Sequence, residues 1–369
     1  MLLNAGWEVQ CLGLSSPNTA SLCLPSHPRL HVHLAAPVAL KSLQKLQYLL
    51  FCLRAMMTAI WSRPTLIYAS DPLSTPAAMA AKMFNRGGVC VYHEHDAPQL
   101  PKSIFQRIVD RLRGVFSRQA LRVVVPNSSR ADRLIAATSV PPERVAIVFN
   151  CASTLEISKS NDTIRTRRDD ERIWLHFHGS LAPDKLPLHI IDALCCLPAH
   201  VCLRVIGYEA QGSEGFGRKL VARARELKVE SRLEVFGQLD RVELLEKTRQ
   251  SHIGLSLMPK FEQADNFNMQ HMAGASNKPF DYLACGCPLI VSDLPDWRSL
   301  FVDAGVAIAC DPSSLESIVC AIRGYLDNPA RYEHAQSIAH RLMADTWNYE
   351  AQFAPVLRHI SVQNASNAL

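Results

Sequence analysis

The sequence predicts an α/β protein built as two consecutive doubly wound parallel sheets, on three observations. A chain of 369 residues is longer than one hydrophobic core usually supports. Short β-branched runs alternate with helically spaced apolar residues along most of its length, the rhythm of a parallel sheet with helical crossovers. That rhythm breaks once, in a polar and charged stretch, and then restarts.

The elements follow in order. Leu2-Leu3-Asn4-Ala5-Gly6 reads as the end of a helix with Gly6 as its stop, and Glu8 to Leu14 open a strand. A doubly wound domain ordinarily begins with an apolar strand and a glycine-rich turn before its first helix. The expectation is therefore that the first strand of this domain is missing and that the domain is marginal without it. Leu43 to Trp61 is apolar but interrupted by Lys45 and Arg54, short of the roughly 20 apolar residues of a spanning helix, and reads as a buried or interfacial helix. Strands are expected at Leu66 to Tyr68, Val89 to Tyr92, Val123 to Val125 and Val145 to Val148. Ile104, Phe105, Ile108, Val109 and Leu112 form an apolar helical stripe with Arg107, Arg111, Arg113 and Arg118 around it, a pattern of either a sheet-packing helix or one lying on an anionic membrane.

Residues 152–172 carry serines, Asn161 and a charged run, and are the expected linker. The strand rhythm resumes at Ile173 to Phe177, Leu203 to Ile206, Leu233 to Phe236, Ile253 to Leu257 and Leu289 to Val291. The expected domains are thus 1–151 and 173–346. In such sheets ligands bind beyond the carboxyl ends of the strands, where helix N-termini face phosphate.

With 48% hydrophobic and 20% charged residues the chain is globular rather than disordered. Its twelve cysteines include no pair of CxxC hooks, which points to reduced packing cysteines in a cytoplasmic protein and away from a zinc module. No signal peptide is visible at the start. Residues 1–150 hold 16 Lys and Arg against 7 Asp and Glu, whereas the rest hold 23 against 27, so the first half is the one suited to an anionic partner. No nucleic-acid partner is expected.

Four strings bear on chemistry. Gly179-Ser180-Leu181-Ala182-Pro183-Asp184-Lys185 follows a strand and precedes a helix; glycine there admits a close ligand and Lys185 can neutralise a diphosphate, although a plain turn with a solvated lysine fits equally. Ser276-Asn277-Lys278-Pro279-Phe280-Asp281 opens a short helix that stops at Gly286, with Asp281 expected in its first turn, placed to take two sugar hydroxyls while Lys278 faces phosphate. His93-Glu94-His95-Asp96 leaves a strand; neighbouring residues on an extended segment alternate sides, which argues against four converging metal ligands. Asn127-Ser128-Ser129-Arg130 opens another helix with capping hydroxyls.

The string from Ser276 to Pro288 resembles the nucleotide-sugar site of retaining GT-B glycosyltransferases of family 4, in the variant reading Asn-Lys-x-x-Glu-Tyr-x-Ala-x-Gly-x-Pro. The order and spacing of Gly179 to Lys185, Val235-Phe236-Gly237 and Ile253 to Pro259 are similar too. The resemblance implies two facing Rossmann-like domains with an interdomain cleft, the segment 347–369 crossing back to the first domain. It also implies transfer from a nucleotide sugar to a hydroxyl of a glycan or lipid-linked acceptor, with retention and with neither cofactor nor metal. Lys185 matches the diphosphate lysine, Ser180 stands where many members have arginine, and Asp281 matches the acid that holds the donor ribose. The acid expected eight residues earlier falls at Ala273, which leaves the sugar to the His271 to Ser276 loop or to Glu262, Asp265 and Asn266. A His-Asp pair at the first-domain strand end makes His95 the expected donor-sugar contact, oriented by Asp96. Rival readings are an epimerase of the same fold and a non-catalytic nucleotide-sugar-binding partner.

Overall fold

The computed structural model describes residues 1–14, 26–36, 38, 41–85, 87–100, 103–158, 172–209, 212–258 and 267–367. The chain forms two compact units, one of residues 1–148 with 352–369 and one of residues 149–351.

In the first unit, Gly6 at φ 93° ends a helical turn closed by Ala5 N–H on the Met1 carbonyl. Strand β1 (Val9–Leu14) then pairs in parallel with β2 (Leu30–Ala35), a strand the apolar-run reading passed over because His31 and His33 interrupt it. Helix α1 (Lys41–Ser62) leads into a separate four-stranded parallel sheet of β3 (Leu66–Ser70), β4 (Val89–His93), β5 (Arg122–Val125) and β6 (Val145–Ile147), in that order. Helices α2 (Thr75–Phe84), α3 (Ile104–Gln119) and α4 (Ser128–Thr138) make the crossovers. All five residues of β4 are buried, as a strand covered on both faces requires.

Helix α1 buries a narrow face of Ala55 and Ala59, while α2 buries Ala77, Ala78 and Ala81. The opposite face of α1, with Leu43, Leu46, Leu50, Leu53, Met57 and Trp61, is exposed. The apolar stripe of α3 divides: Val109 is buried, whereas Ile104, Phe105 and Ile108 are exposed. Edge-to-face contact of Tyr48 with Phe105, centroids 5.3 Å apart, joins α1 to α3. Among the described residues no helix is long and apolar enough to cross a membrane.

The second unit is one six-stranded parallel sheet. Strands β7 (Ile173–Leu181), β8 (Val201–Glu209) and β9 (Leu233–Phe236) run outward on one side of β7; β10 (Ile253–Ser256), β11 (Leu289–Ser292) and β12 (Ala307–Cys310) run outward on the other. Its helices are α5 (His189–Cys196), α6 (Phe216–Glu226), α7 (Arg241–Arg249), α8 (Asn277–Ala284), α9 (Leu315–Leu326) and α10 (Pro329–Asp345). Ile290 enters one apolar cluster while Leu289 and Val291 enter the other, the alternation of a strand covered on both faces. Residues 152–158, at the start of the expected linker, belong to this unit: Ala152 is buried in its core, and Ser153 and Glu156 close a capping box. Residues 159–171 lie outside the described residues. Helix α11 (Tyr349–Asn367) begins in this unit and from Gln352 groups with the first, where Phe353 lies 6.4 Å from the Tyr68 ring.

Candidate functional site

The chain order in the second sheet reverses at β7, so β7 and its neighbour β10 part company beyond their carboxyl ends and leave a crevice. A cavity of about 420 Å³ opens there, lined by Gly179 and Ser180 near the end of β7, Lys185 after β7, Gly207 and Tyr208 from β8, Met258 after β10, and Ser276, Asn277 and Lys278 at the start of α8. Six of the seven expected donor-site residues therefore meet in one place. Gly179 and Ser180 lie within β7 and not beyond the strand as expected, because its ladder with β8 runs on to Leu181.

Glycine is needed at the crevice floor for space. A Cβ on Gly207 would fall 1.8 Å from the Gly179 carbonyl oxygen, and one on Gly179 would fall 2.4 Å from Lys278 Cε. Gly179 also holds φ 122°, which side chains resist. The pair lets Lys278 fold down over the strand end, where its ammonium lies 4.6 Å from the Phe177 ring centre. Burial, aided by Lys185, pushes the Lys278 ammonium down to about 8. Burial lowers Lys185 as well, with Asp184 opposing at 3.7 Å, and its Nζ donates to Met269 Sδ at 2.8 Å. Two cations that burial disfavours, beside the N-terminus of α8, form a site that gains from an anion.

Asp281 departs from expectation. The helix begins at Asn277, so Asp281 falls in its second turn and not its first. Its carboxylate is 1% exposed rather than accessible, and Arg241 donates to both of its oxygens at 2.8 Å. Arg241 also donates to Glu156 at 2.7 and 3.0 Å, and His178 Nε2 lies 3.2 Å from Asp281 Oδ2. Burial would raise Asp281, but the bonds from His178 and Arg241 win and hold it below the usual carboxylate range. His178 is lowered by burial, with Asp281 opposing, and its backbone N–H donates to the Tyr282 hydroxyl at 3.0 Å. Asp281 thus braces the crevice from beneath in this structure. Sequence reasoning missed Arg241 because a lone arginine after an Asp cap carries no motif.

Ala273, at the position of the absent acid, is buried; of the substitutes, His271 Nδ1 lies 2.6 Å from Asp296 Oδ2. Glu262, Asp265 and Asn266 lie outside the described residues.

In the first unit, the four-residue run that starts at His93, the last residue of β4, splits its side chains. Glu94 is buried and accepts from Arg113 Nη2 at 2.9 Å and from the Tyr92 hydroxyl at 2.6 Å. The His93 and His95 rings stack with centres 3.9 Å apart. Burial, with His95 adding to it, lowers His93 to about 3, so this ring stays neutral; the Tyr68 hydroxyl lies 2.7 Å from its Nδ1. Asp96 does not orient His95: its exposed carboxylate accepts from buried Arg130 Nη1 at 3.0 Å, and the same nitrogen donates to the His95 carbonyl. The carboxylate that reaches His95 is Asp71, whose Oδ1 accepts from the His95 backbone N–H at 2.8 Å. Asp71 holds φ 64° and ψ 162°, a conformation that costs a residue with a side chain about 1–3 kcal/mol. Asn127 caps α4 by accepting from Arg130 N–H at 2.9 Å.

Two family models match consecutive parts of the chain, Glycosyltransferase Family 4 over residues 1–154 and Glycosyl transferase-like over residues 206–358. No curated protein matches the chain in sequence. Among solved structures it is similar to sucrose-phosphate synthase from Thermosynechococcus elongatus, at 15% identity and TM-score 0.71, covering 99% of this chain and 91% of that one. It is also similar to Anabaena HepE in complex with UDP-glucose, at 18% identity and TM-score 0.67, covering 96% and 99%. A third likeness is to the lipopolysaccharide glycosyltransferase WaaG, at 15% identity and TM-score 0.56, covering 90% and 87%.

Proposed function

We propose that this chain, which belongs to the glycosyltransferases of GT-B fold, moves a sugar from a nucleotide-diphosphate sugar to a hydroxyl of a glycan or lipid-linked acceptor. One observation carries the reading: Lys185 and Lys278 converge on a glycine-floored crevice at the switch point of the second sheet. A diphosphate seated there meets two ammonium groups and the N–H groups of α8, which stabilise it as a leaving group while charge develops. Those cations take the place of a metal in the proposed reaction. Retention at the anomeric carbon follows the resemblance to the retaining group, and His95 is the proposed contact to the transferred sugar.

Uridine is the first base to test, because the Anabaena neighbours hold UDP and UDP-glucose. In a thermal-shift comparison of uridine, guanosine and adenosine diphosphate sugars, the true donor at 100 times its dissociation constant adds about 2.7 kcal/mol to stability. Absence of any shift, or a shift that persists unchanged in Lys185→Ala and Lys278→Ala, overturns the donor assignment.

The acceptor is proposed to be met at an anionic membrane surface. Exposed Ile104, Phe105 and Ile108 stand beside exposed Arg107 and Arg111 on α3, joined through Tyr48 to the apolar face of α1. Flotation with vesicles containing phosphatidylglycerol, but not with purely zwitterionic ones, is the expected result, and Ile104→Asp with Ile108→Asp abolishes it.

A further inference from the structure

We propose that Asp71 is a positioning residue for His95. The proposal rests on the reading of His95 as the group that meets the transferred sugar.

Asp71 follows β3, and its backbone is held at every polar atom. Its N–H donates to the His93 carbonyl at 2.8 Å, and its own carbonyl accepts from Ser74 N–H at 3.0 Å and Ser74 Oγ at 2.7 Å. Between these bonds the residue sits at φ 64° and ψ 162°, a region where glycine alone is at ease. A strained aspartate where glycine would be unstrained calls for something only its side chain supplies. Its carboxylate turns across the end of β4 and takes the His95 N–H. Asp71 therefore grips the neighbouring strand at two points, His93 through its amide and His95 through its carboxylate. These are the two residues whose rings stack at 3.9 Å. From the other side, Arg130 grips the same segment through the His95 carbonyl and Asp96. The ring of His95 is thereby aimed by backbone bonds on both sides, and among the described residues no hydrogen bond to its nitrogens orients it, which leaves them for a substrate.

The test compares two replacements. Asp71→Asn keeps an Oδ1 acceptor on a side chain of the same shape, so the backbone strain stays close to that of aspartate. Asp71→Gly relieves the backbone and deletes the acceptor. The first readout needs no substrate: long-range proton–nitrogen spectra of histidine-labelled protein, with the His95 ring assigned by His95→Gln. Asp71→Gly is expected to remove the ring-current shift of the His95 protons, and Asp71→Asn to keep it. The second readout is UDP release from UDP-glucose. Asp71→Gly is expected to lower kcat by about 10- to 100-fold with KM little changed, Asp71→Asn to recover most of that loss, and Asp71→Gly to add no further loss in a His95→Ala background. Wild-type ring shifts in Asp71→Gly, or an equal loss with and without His95, overturn the proposal. Normal turnover of His95→Ala overturns the reading of His95 instead, and the ring shifts still decide whether Asp71 positions it.

Discussion

The two units use the same strand-helix repeat but bury it differently. In the second, six strands share one sheet, β7 and β8 stay in register over nine residue pairs, and apolar clusters cover both faces. In the first, the sheet is in two pieces, no residue of β1 or β2 is fully buried, and α1 turns a long apolar face outward. Each unit holds a buried carboxylate with an arginine, Glu94 with Arg113 in the first and Asp281 with Arg241 in the second. Only the second sets that pair beneath its crevice, whereas the first fixes its histidine by backbone bonds to a strained loop. The proposed phosphate site thus lies in the unit whose core surrounds it on both faces, and the proposed membrane contact in the unit that leaves apolar area exposed.

The largest expected effect tests the brace. Arg241→Ala leaves Asp281 buried beside a neutral His178, and denaturant unfolding of the second unit is expected to lose about 2–3 kcal/mol, less than a fully buried pair because the Arg241 side chain is 40% exposed. A loss under 1 kcal/mol would show that Asp281 takes up water and that the brace is ornamental. Asp281→Ala is expected to cost stability as well as nucleotide affinity, because the carboxylate supports the crevice.

Hydrogen exchange sharpens the contrast between units. Amides of β1 and β2 are expected to exchange more than about 100-fold faster than those of β7, since little apolar burial opposes their local opening. Equal protection in the two sheets would break the comparison.

Within the crevice, Lys185→Ala and Lys278→Ala are each expected to weaken UDP binding by about 1.5–3 kcal/mol, the range of a charged hydrogen bond, without moving the unfolding of the first unit. Titration calorimetry measures this directly.

The smallest effect is one of pH, and its sign separates binding from stability. Lys278 is lowered to about 8, so it loses its proton as pH rises through that value and UDP affinity falls between pH 7 and 9. The unfolded chain keeps that proton up to roughly 10.4, so the same group makes the unliganded second unit more stable as pH climbs from about 8. UDP affinity that rises over this window would place the diphosphate elsewhere.

The sequence by itself determined the parallel α/β class, because β-branched runs and helical spacing are local signals that need no partner. It also made legible the residues that meet at the crevice, since Gly179 stands near the carboxyl end of a strand, Lys185 beyond it and Ser276 to Lys278 at a helix start, and a doubly wound sheet must bring such ends together. The strands Leu30–Ala35 and Ala307–Cys310 escaped it, the first broken by histidines and the second made half of alanine. What only the tertiary structure decided was which charge meets which. Asp281 reads as an accessible ligand until Arg241, 40 residues earlier in the chain, closes over both its oxygens. Asp96 reads as the partner of its neighbour His95 until Asp71, 24 residues away, takes that role. Periodicity reports which face of an element is apolar, whereas the pairing of buried charges depends on distances between elements far apart in sequence, and no local pattern encodes those.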